Sequence, residues 1–534
     1  MNPRDALARV ALAEIPKLLT LQDRTPASPT YGCFDRAYWH YRMMDFPCGM
    51  SQEFVLPLAL AWSLDMPGNP YFGQVAVRDW VEAGIRYAAR SAHADGSCDD
   101  YYPFERAAGA AAFSLLACLD AAAIIGVERD PAIAAFLTER ARWLADHRES
   151  GRLSNHEALI VACLARMVEL DGPAWETPLR ERTARLLSWQ SAEGWFDEYG
   201  GADPGYLSLT IGLLADADRR RADLGLREPC ARAIGFLATM AHPDGTLGGE
   251  YTSRATRNFF PHGLEIAGAW SSEALALNGL LLRPLVEDRA PCFADDHIVG
   301  HHLWSWMLAW REWQDDRPAP ATATTETRHF TDARLLVDVH GETRLYCGLS
   351  RGAAFKLFDR DRLLIADTGP SLTTSDGRVA VGHLEGEAVI EVTPDRIIYD
   401  GRMAWAKVAR LTPAKSVVLR VVMLSVGRFF PDLIRRMLQR LLVTGRRDAP
   451  YRFRRRLEHR DGAWTVTDEI TPDEGWKGVR AIGIGGFQTS VTTIMARVWQ
   501  DDQFQPWLDL TDRLAVLKDN ETLTVERRLG GTAR

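Results

Sequence analysis

Four glycine-centred loops, at Gly96, Gly151, Gly194 and Gly245, recur every 43 to 55 residues along the first 250 residues. Each lies between two segments whose apolar residues repeat at helical spacing. A period of that length suits a helical hairpin that cannot bury its apolar face without a neighbour. Helices are expected over 107–125, 158–170, 207–217 and 231–240. The loops 95–101, 151–156, 191–206 and 244–251 carry polar groups about five residues after each glycine. They read as one rim of an α/α toroid spanning residues 1–316, with an open helical solenoid as the alternative.

Beyond a Pro/Ala/Thr-rich linker at 317–328 the hydrophobic period changes. Short strands are expected over 335–339, 343–347, 354–358, 362–366, 387–392, 396–399, 464–470 and 523–528. Residues 329–534 therefore read as an antiparallel β-sandwich following the toroid. An Arg-rich helical insertion near 428–447 interrupts it. Leu433, Met437 and Leu441 fall on one side, with Arg435, Arg436 and Arg440 around them, and more arginine follows at 446, 447, 452 and 454–456. The plain reading is an insertion packed on the sandwich with a solvated basic face. The sharper ones are a groove for an acidic glycan or contact with an anionic membrane surface.

A chain of 534 residues is too long for one ordinary core. Its net charge of −8 supplies no overall field for a polyanion, so an acidic ligand needs local basic patches. Nucleic acid is not an expected partner, since no recognised motif accompanies the arginines. Eight cysteines without a CxxC pair point to neither a disulfide framework nor a zinc site, and no metal or cofactor is expected. No run of about 18 apolar residues is read as a spanning helix. The first residues carry no uninterrupted apolar stretch or clear cleavage site, so the expected compartment is the cytoplasm, or the periplasm or exterior if the chain is trimmed.

Three clusters can carry chemistry. Asn155 and His156 follow a Gly-Arg-Leu-Ser turn and open a helix, where an amide and an imidazole suit a carboxylate-bearing ligand. Plain helix capping by Ser154 or Asn155 is the alternative. Tyr206 follows Asp203-Pro-Gly at another helix start, where ordinary packing would also place a tyrosine. In 250–262, Tyr251, Arg254, Arg257 and His262 gather around two arginines suited to bidentate carboxylate recognition. A phenol titrates near 10 in water, so Tyr251 as a base needs that positive charge beside it. A surface salt-bridge cluster is the alternative. Aromatics such as Trp39, and Tyr101 at the end of the first rim loop, could stack on sugar faces; a helix-packing stripe is the alternative for the rings around Trp39.

Asn155-His156, then the Glu193-Gly194 loop leading to Tyr206, then a β domain, resembles the heparinase II/III-type and alginate-type polysaccharide lyases. The strand 363–369, ending Asp-Thr-Gly, is similar to the family's Asp-x-Gly strand. The family's Gly-His-Ala-Asp-like motif has its nearest match in Gly382-His383-Leu-Glu-Gly, which lies after that strand instead of before it. The resemblance implies β-elimination on a uronic-acid-containing glycan. Asn155 with Arg254 or Arg257 would neutralise the uronate carboxylate, His156 or Tyr251 would remove the C5 proton, and Tyr206 would protonate the leaving oxygen. His262, Trp39 and Tyr101 would hold the acidic polysaccharide. Two other readings stand beside it. One is an inverting glycoside hydrolase, which needs two carboxyls about 6.5 to 9.5 Å apart, drawn from Asp99, Asp100, Asp197, Glu198 and Glu250. The other is a non-catalytic glycan-binding or assembly protein of a surface-polysaccharide pathway.

Overall fold

The computed structural model describes residues 2–149, 151–287, 289, 296–297, 299–406, 412–439, 446–485 and 507–529. Its first half is helical: α1 (Pro3–Leu21), α2 (Arg36–Trp39), α3 (Val55–Ser63), α4 (Val75–Ser91), α5 (Ala108–Ile125), α6 (Pro131–Asp146) and α7 (Ser154–Asp171). It continues with α8 (Glu176–Leu187), α9 (Pro204–Arg220), α10 (Arg227–Met240), α11 (His262–Ala267), α12 (Ser272–Leu281), α13 (Arg283–Val286) and α14 (Val299–Arg311).

The helices divide by how much of their circumference is apolar. α5, α9 and α11 are buried nearly all round, as only an inner helix can be. α4, α6 and α10 bury one face and expose the other. The inner helices pack in the order α3–α5–α7–α9–α11–α14, and α14 returns to α3. That closed ring is the toroid, and it excludes the open solenoid. α4, α6, α8, α10, α12 and α1 form the outer layer, each against its inner neighbour. Contrary to the expectation from sequence, α5 is long and apolar enough to cross a membrane by composition, but most of it is buried inside the ring. α7, α9 and α10 start three or four residues earlier than hydrophobic spacing alone indicates, whereas α5 starts at Ala108. α9 begins at Pro204 with Asp203 as its cap, accepting from the Tyr206 amide at 2.9 Å.

The C-terminal half holds two antiparallel sheets. The first comprises β1 (Arg328–Phe330), β2 (Leu335–His340), β3 (Thr343–Gly348), β4 (Ala354–Asp359) and β5 (Arg362–Asp367), in that spatial order. The second is built from β6 (Pro370–Thr374), β7 (Val379–Val381), β8 (Val389–Thr393), β9 (Arg396–Trp405), β10 (Asp448–Arg460), β11 (Ala463–Pro472), β12 (Val479–Ile484), β13 (Leu508–Asp509) and β14 (Leu523–Leu529). Its order is β13-β12-β6-β7-β9-β10-β11-β14, with β8 on β9.

The small sheet is buried on both faces. Leu335, Val337, Tyr346 and Phe358 point into the toroid's core, whereas Leu336, Leu345, Cys347 and Phe355 point into the core shared with the large sheet. Strand alternation sends successive residues to opposite faces, so a strand covered on both sides reads as a continuous apolar run. Polar ties reinforce the contact: Tyr346 Oη donates to the Ala241 carbonyl at 2.8 Å. Glu193 of the third rim loop accepts from the amides of Asp332 and Ala333, each at 3.0 Å. The linker is also held, with Arg317 bonded to Glu265 and stacked on Trp313.

The arginines from Arg452 to Arg456 are strand residues. On β10, Arg452 and Arg454 face solvent while Arg455 is fully buried. Arg455 bonds Asp468 on β11 and Asp367 at the end of β5, and Arg527 on β14 closes the network. The Asp-Thr-Gly turn is thus part of the sandwich's ionic core. Burial would raise the Asp367 carboxyl, but Arg455 and Arg527 hold it down to about 2. Its stabilising contribution is therefore complete above the unfolded carboxylate range and is lost as pH falls toward about 2. Arg455→Met leaves two buried carboxylates with one cation, and a loss of about 3–5 kcal/mol is expected, measured as a lower urea midpoint at neutral pH.

Candidate active site

The N-termini of α5, α7 and α9 open on the same rim, and the loops expected to form it converge there. The first turn of α7 has no side-chain cap of its own. Glu198, from the 191–206 loop, supplies the anion instead. Its carboxylate accepts from Ser154 Oγ at 2.8 Å, the Asn155 amide nitrogen at 3.2 Å and Asn155 Nδ2 at 2.8 Å. A carboxylate on exposed helix N–H groups is favoured by both hydrogen bonding and the helix dipole. The anion drawn by Asn155 in this structure is the chain's own, and it fixes the orientation of the Asn155 amide.

His156, one residue on, bonds Glu149 through Nδ1 at 2.8 Å. Gly109 on α5 makes room for the ring, since a Cβ there would lie 2.5 Å from His156 Cε1. With Glu149 as acceptor, a neutral imidazole keeps its proton on Nδ1 and its lone pair on Nε2. Burial lowers the pKa of His156, and Arg254 lowers it further against the opposing pull of Glu198.

Asp203 arranges the other wall. One oxygen caps α9 at Tyr206, and the second accepts from the amides of Arg254 at 3.2 Å and Thr256 at 3.1 Å. The loop after Tyr251 is thereby pinned over the start of α9. The Arg254 guanidinium stands 3.8 Å from the centroid of the Tyr199 ring and 5.9 Å from that of Tyr206. Tyr199 and Ala255, on either side of this stack, both have left-handed backbone angles (φ 58° and 56°). Such strain gathers where surrounding structure imposes a geometry, as at binding sites. Burial pushes the Tyr206 phenol above its ordinary range, Arg254 pulls it down, and Glu198 and Tyr199 push it further up. The phenol therefore keeps its proton at neutral pH, and burial biases the His156 imidazole toward its neutral form.

Asn155, His156, Tyr206 and Arg254 thus come together, and Glu198, Tyr199 and Glu149 join them. The other candidates are seated elsewhere. Tyr251 is enclosed under the small sheet, its Oη 2.8 Å from His242 Nε2, and burial raises its phenol and lowers the imidazole. Arg257 Nη2 donates to both carboxylate oxygens of the buried Glu250, each at 2.8 Å. His262 sits midway down the ring against Gly212, bonded to Ser305 Oγ at 2.7 Å and pushed down by burial to about 3. Trp39 donates its ring N–H to the Leu21 carbonyl at 2.7 Å, and Tyr101 is exposed against His297. His383 is buried. Arg351, from the β3–β4 turn, is the residue sequence reasoning passed over. It donates to the Ser253 carbonyl at 2.8 Å and lines a polar cleft of about 140 Å³ between the rim and the small sheet, with Gly201, Ser253, Asp332 and Glu385.

Metal-ligating side chains gather in two places among the described residues. Cys48 Sγ lies 3.1 Å from Asp100 Oδ1 and 3.5 Å from His297 Nδ1. His340 stacks on His459 near Asp395. Neither group includes a residue of the rim cluster.

A xanthan lyase from Paenibacillus superposes with a TM-score of 0.54 at 10% identity, over 90% of this chain and 46% of that one. A chondroitin AC lyase from Streptomyces coelicolor A3, solved with chondroitin sulphate, gives 0.54 at 12% identity, over 99% of this chain and 82% of that one. The chain shares the fold of these two structures, a helical toroid followed by antiparallel β-sheets. It spans less than half the length of the xanthan lyase that shares this fold. No protein-family model and no curated protein matches the sequence itself. The rim cluster lies where the toroid meets the small sheet, with Arg351 bridging the two through the Ser253 carbonyl.

Proposed function

We propose that the chain is a polysaccharide lyase that cleaves a uronic-acid-containing glycan by β-elimination. The observation that carries the proposal is the pairing of a neutral histidine and a protonated tyrosine around one arginine. Two groups whose surroundings push their titrations apart are suited to base and acid roles. Arg254, with the remaining N–H of Asn155, takes the uronate carboxylate and acidifies the neighbouring C5–H. His156 Nε2 accepts that proton, the electron pair forms the C4–C5 double bond, and the C4–O bond breaks. Tyr206 gives its proton to the departing oxygen. Tyr199 offers a ring face beside the arginine, and Arg351 adds positive charge along the cleft.

The rim carboxylates support this reading over hydrolysis. Asp99 accepts from the Phe104 and Arg106 amides, Asp100 from Cys48 Sγ beside His297, Asp197 from the Gly200 amide, Glu198 from Ser154 and Asn155, and Glu250 from Arg257. Each is engaged in holding the fold. Incubation with a panel of uronate polysaccharides and oligosaccharides, followed in the ultraviolet, tests the proposal. A conjugated double bond in the product supports it; new reducing ends without absorbance establish hydrolysis instead, and no turnover on any member leaves only a binding protein.

The pH profile follows from the same two groups. His156 must be unprotonated, so kcat/KM rises through a pKa below the ordinary histidine value of 6.5. Tyr206 must be protonated, so the alkaline limb falls only above the ordinary phenol value of 10. A broad plateau is expected, checked by kcat/KM across pH at constant ionic strength.

A further inference from the structure

Between β9 and β10 the chain leaves the sandwich as a helical hairpin, α15 (Pro413–Val422), a wide turn at Met423–Gly427 and α16 (Pro431–Gln439). The insertion starts about fifteen residues before the expected Arg-rich helix. Arg440 and Leu441 lie outside the described residues, as does the side chain of Arg435.

The hairpin is apolar on two sides. Met423 and Ile434 are buried with Tyr102, and Leu419, Val422 and Leu438 pack around them with Phe104. That face is seated on the first rim loop, and Arg420 fastens it through Asp45 at 2.9 Å and the Phe46 ring. On the other face Val417, Val421, Leu424, Phe429, Phe430 and Leu433 are each more than half exposed. A contiguous apolar patch of this kind marks an interaction surface, whereas large apolar residues elsewhere on the described surface stand singly or in pairs.

The charge says what covers it. Residues 412–439 contain five basic side chains and one acidic one, in a chain of net charge −8. Arg428 and Arg436 are exposed beside the apolar face, and the Arg428 guanidinium lies 4.6 Å over the Phe429 ring. Both helices are far shorter than the roughly 20 residues a bilayer span requires. Short helices with an apolar face and flanking arginines lie in the plane of a membrane interface and prefer anionic lipid.

We propose that this hairpin docks the protein on an anionic lipid surface, with Phe429, Phe430 and Leu433 entering the acyl boundary and Arg428 and Arg436 meeting lipid phosphates. Docking sets the rim loop carrying Tyr102 beside the bilayer. On the lyase reading, which this last step rests on, the substrate is a glycan presented at a membrane.

Flotation of the full chain with vesicles tests it, using phosphatidylcholine alone or mixed with phosphatidylglycerol. The chain is expected to float with the mixed vesicles and far less with the neutral ones. Changing Phe429, Phe430 and Leu433 together to Ser should reduce partitioning at least about tenfold. Arg428→Gln with Arg436→Gln should weaken it roughly fivefold per charge, on the anionic vesicles only. Circular dichroism and turnover of soluble glycan should be unchanged in both variants, which separates failure of docking from failure of the lyase assignment. Absence of flotation by the unaltered chain overturns the proposal. So does equal flotation of the triple Ser variant, or a solution dimer that the triple Ser change abolishes without vesicle binding; that last result assigns the face to a second copy of the chain.

Discussion

Tyr206→Phe is expected to lower kcat by about 10²- to 10⁴-fold, the range for loss of a positioned general acid, with KM little changed. The substitution removes one oxygen from a ring held at the start of α9, so the Asp203 cap and the packing of the helix survive. The loss falls on the step in which the glycosidic oxygen departs, because that oxygen leaves as an unstabilised alkoxide without a proton. A substrate with a better leaving group in that position should recover much of the rate. Full activity in the variant would remove Tyr206 from the mechanism.

Arg254→Met tests the other half of the site and should cost about 10²- to 10³-fold, as for loss of one preorganised charge at a developing enolate. Methionine keeps an apolar stem against Tyr199, and the Arg254 backbone N–H still reaches Asp203. Both KM and kcat should suffer, because the guanidinium meets a carboxylate present in the substrate and more negative in transit. A separate signature comes from His156. Arg254 helps to lower its pKa, so without that charge the acid limb of the pH profile should move upward. A merely structural arginine would reduce activity without moving that limb.

Helices and strands were legible in the sequence because burial writes itself into spacing. α5 is apolar on almost every side, and the strands covered on both faces read as dense apolar runs interrupted only by Asp338 and Lys356. The toroid was legible through its loops, since each inner helix must begin on the same rim. Contacts between loops were not. Nothing in local spacing pairs Glu198 with Asn155 or ties Asp203 to Arg254, because each joins residues more than forty apart. Tyr251 and Arg254 are three residues apart, yet one phenol turns inward to His242 while the guanidinium turns outward to Tyr199. The hairpin was hidden for another reason. Its first helix is rich in valine, which favours strands, and it is helical here because its inner face packs on Tyr102 and Phe104.

The closed ring has a polarity that the composition conceals. The C-terminal halves of α5, α7, α9 and α14 line a cavity of about 360 Å³ at the end away from the rim, where Arg166, Arg219 and Arg220 pair with Asp120 and Asp216 and Arg311 also lines the wall. Those inner helices therefore run in one direction, with their partial positive ends together at the rim and their partial negative ends met by arginine. Each inner helix is paired with an outer helix that ends at the rim, so the opposed dipoles leave no field through the ring as a whole and the positive first turns act only at close range. A polyanion is then held at the rim by short-range contact with those turns and with Arg254, and added salt should weaken capture through the rim's own charges.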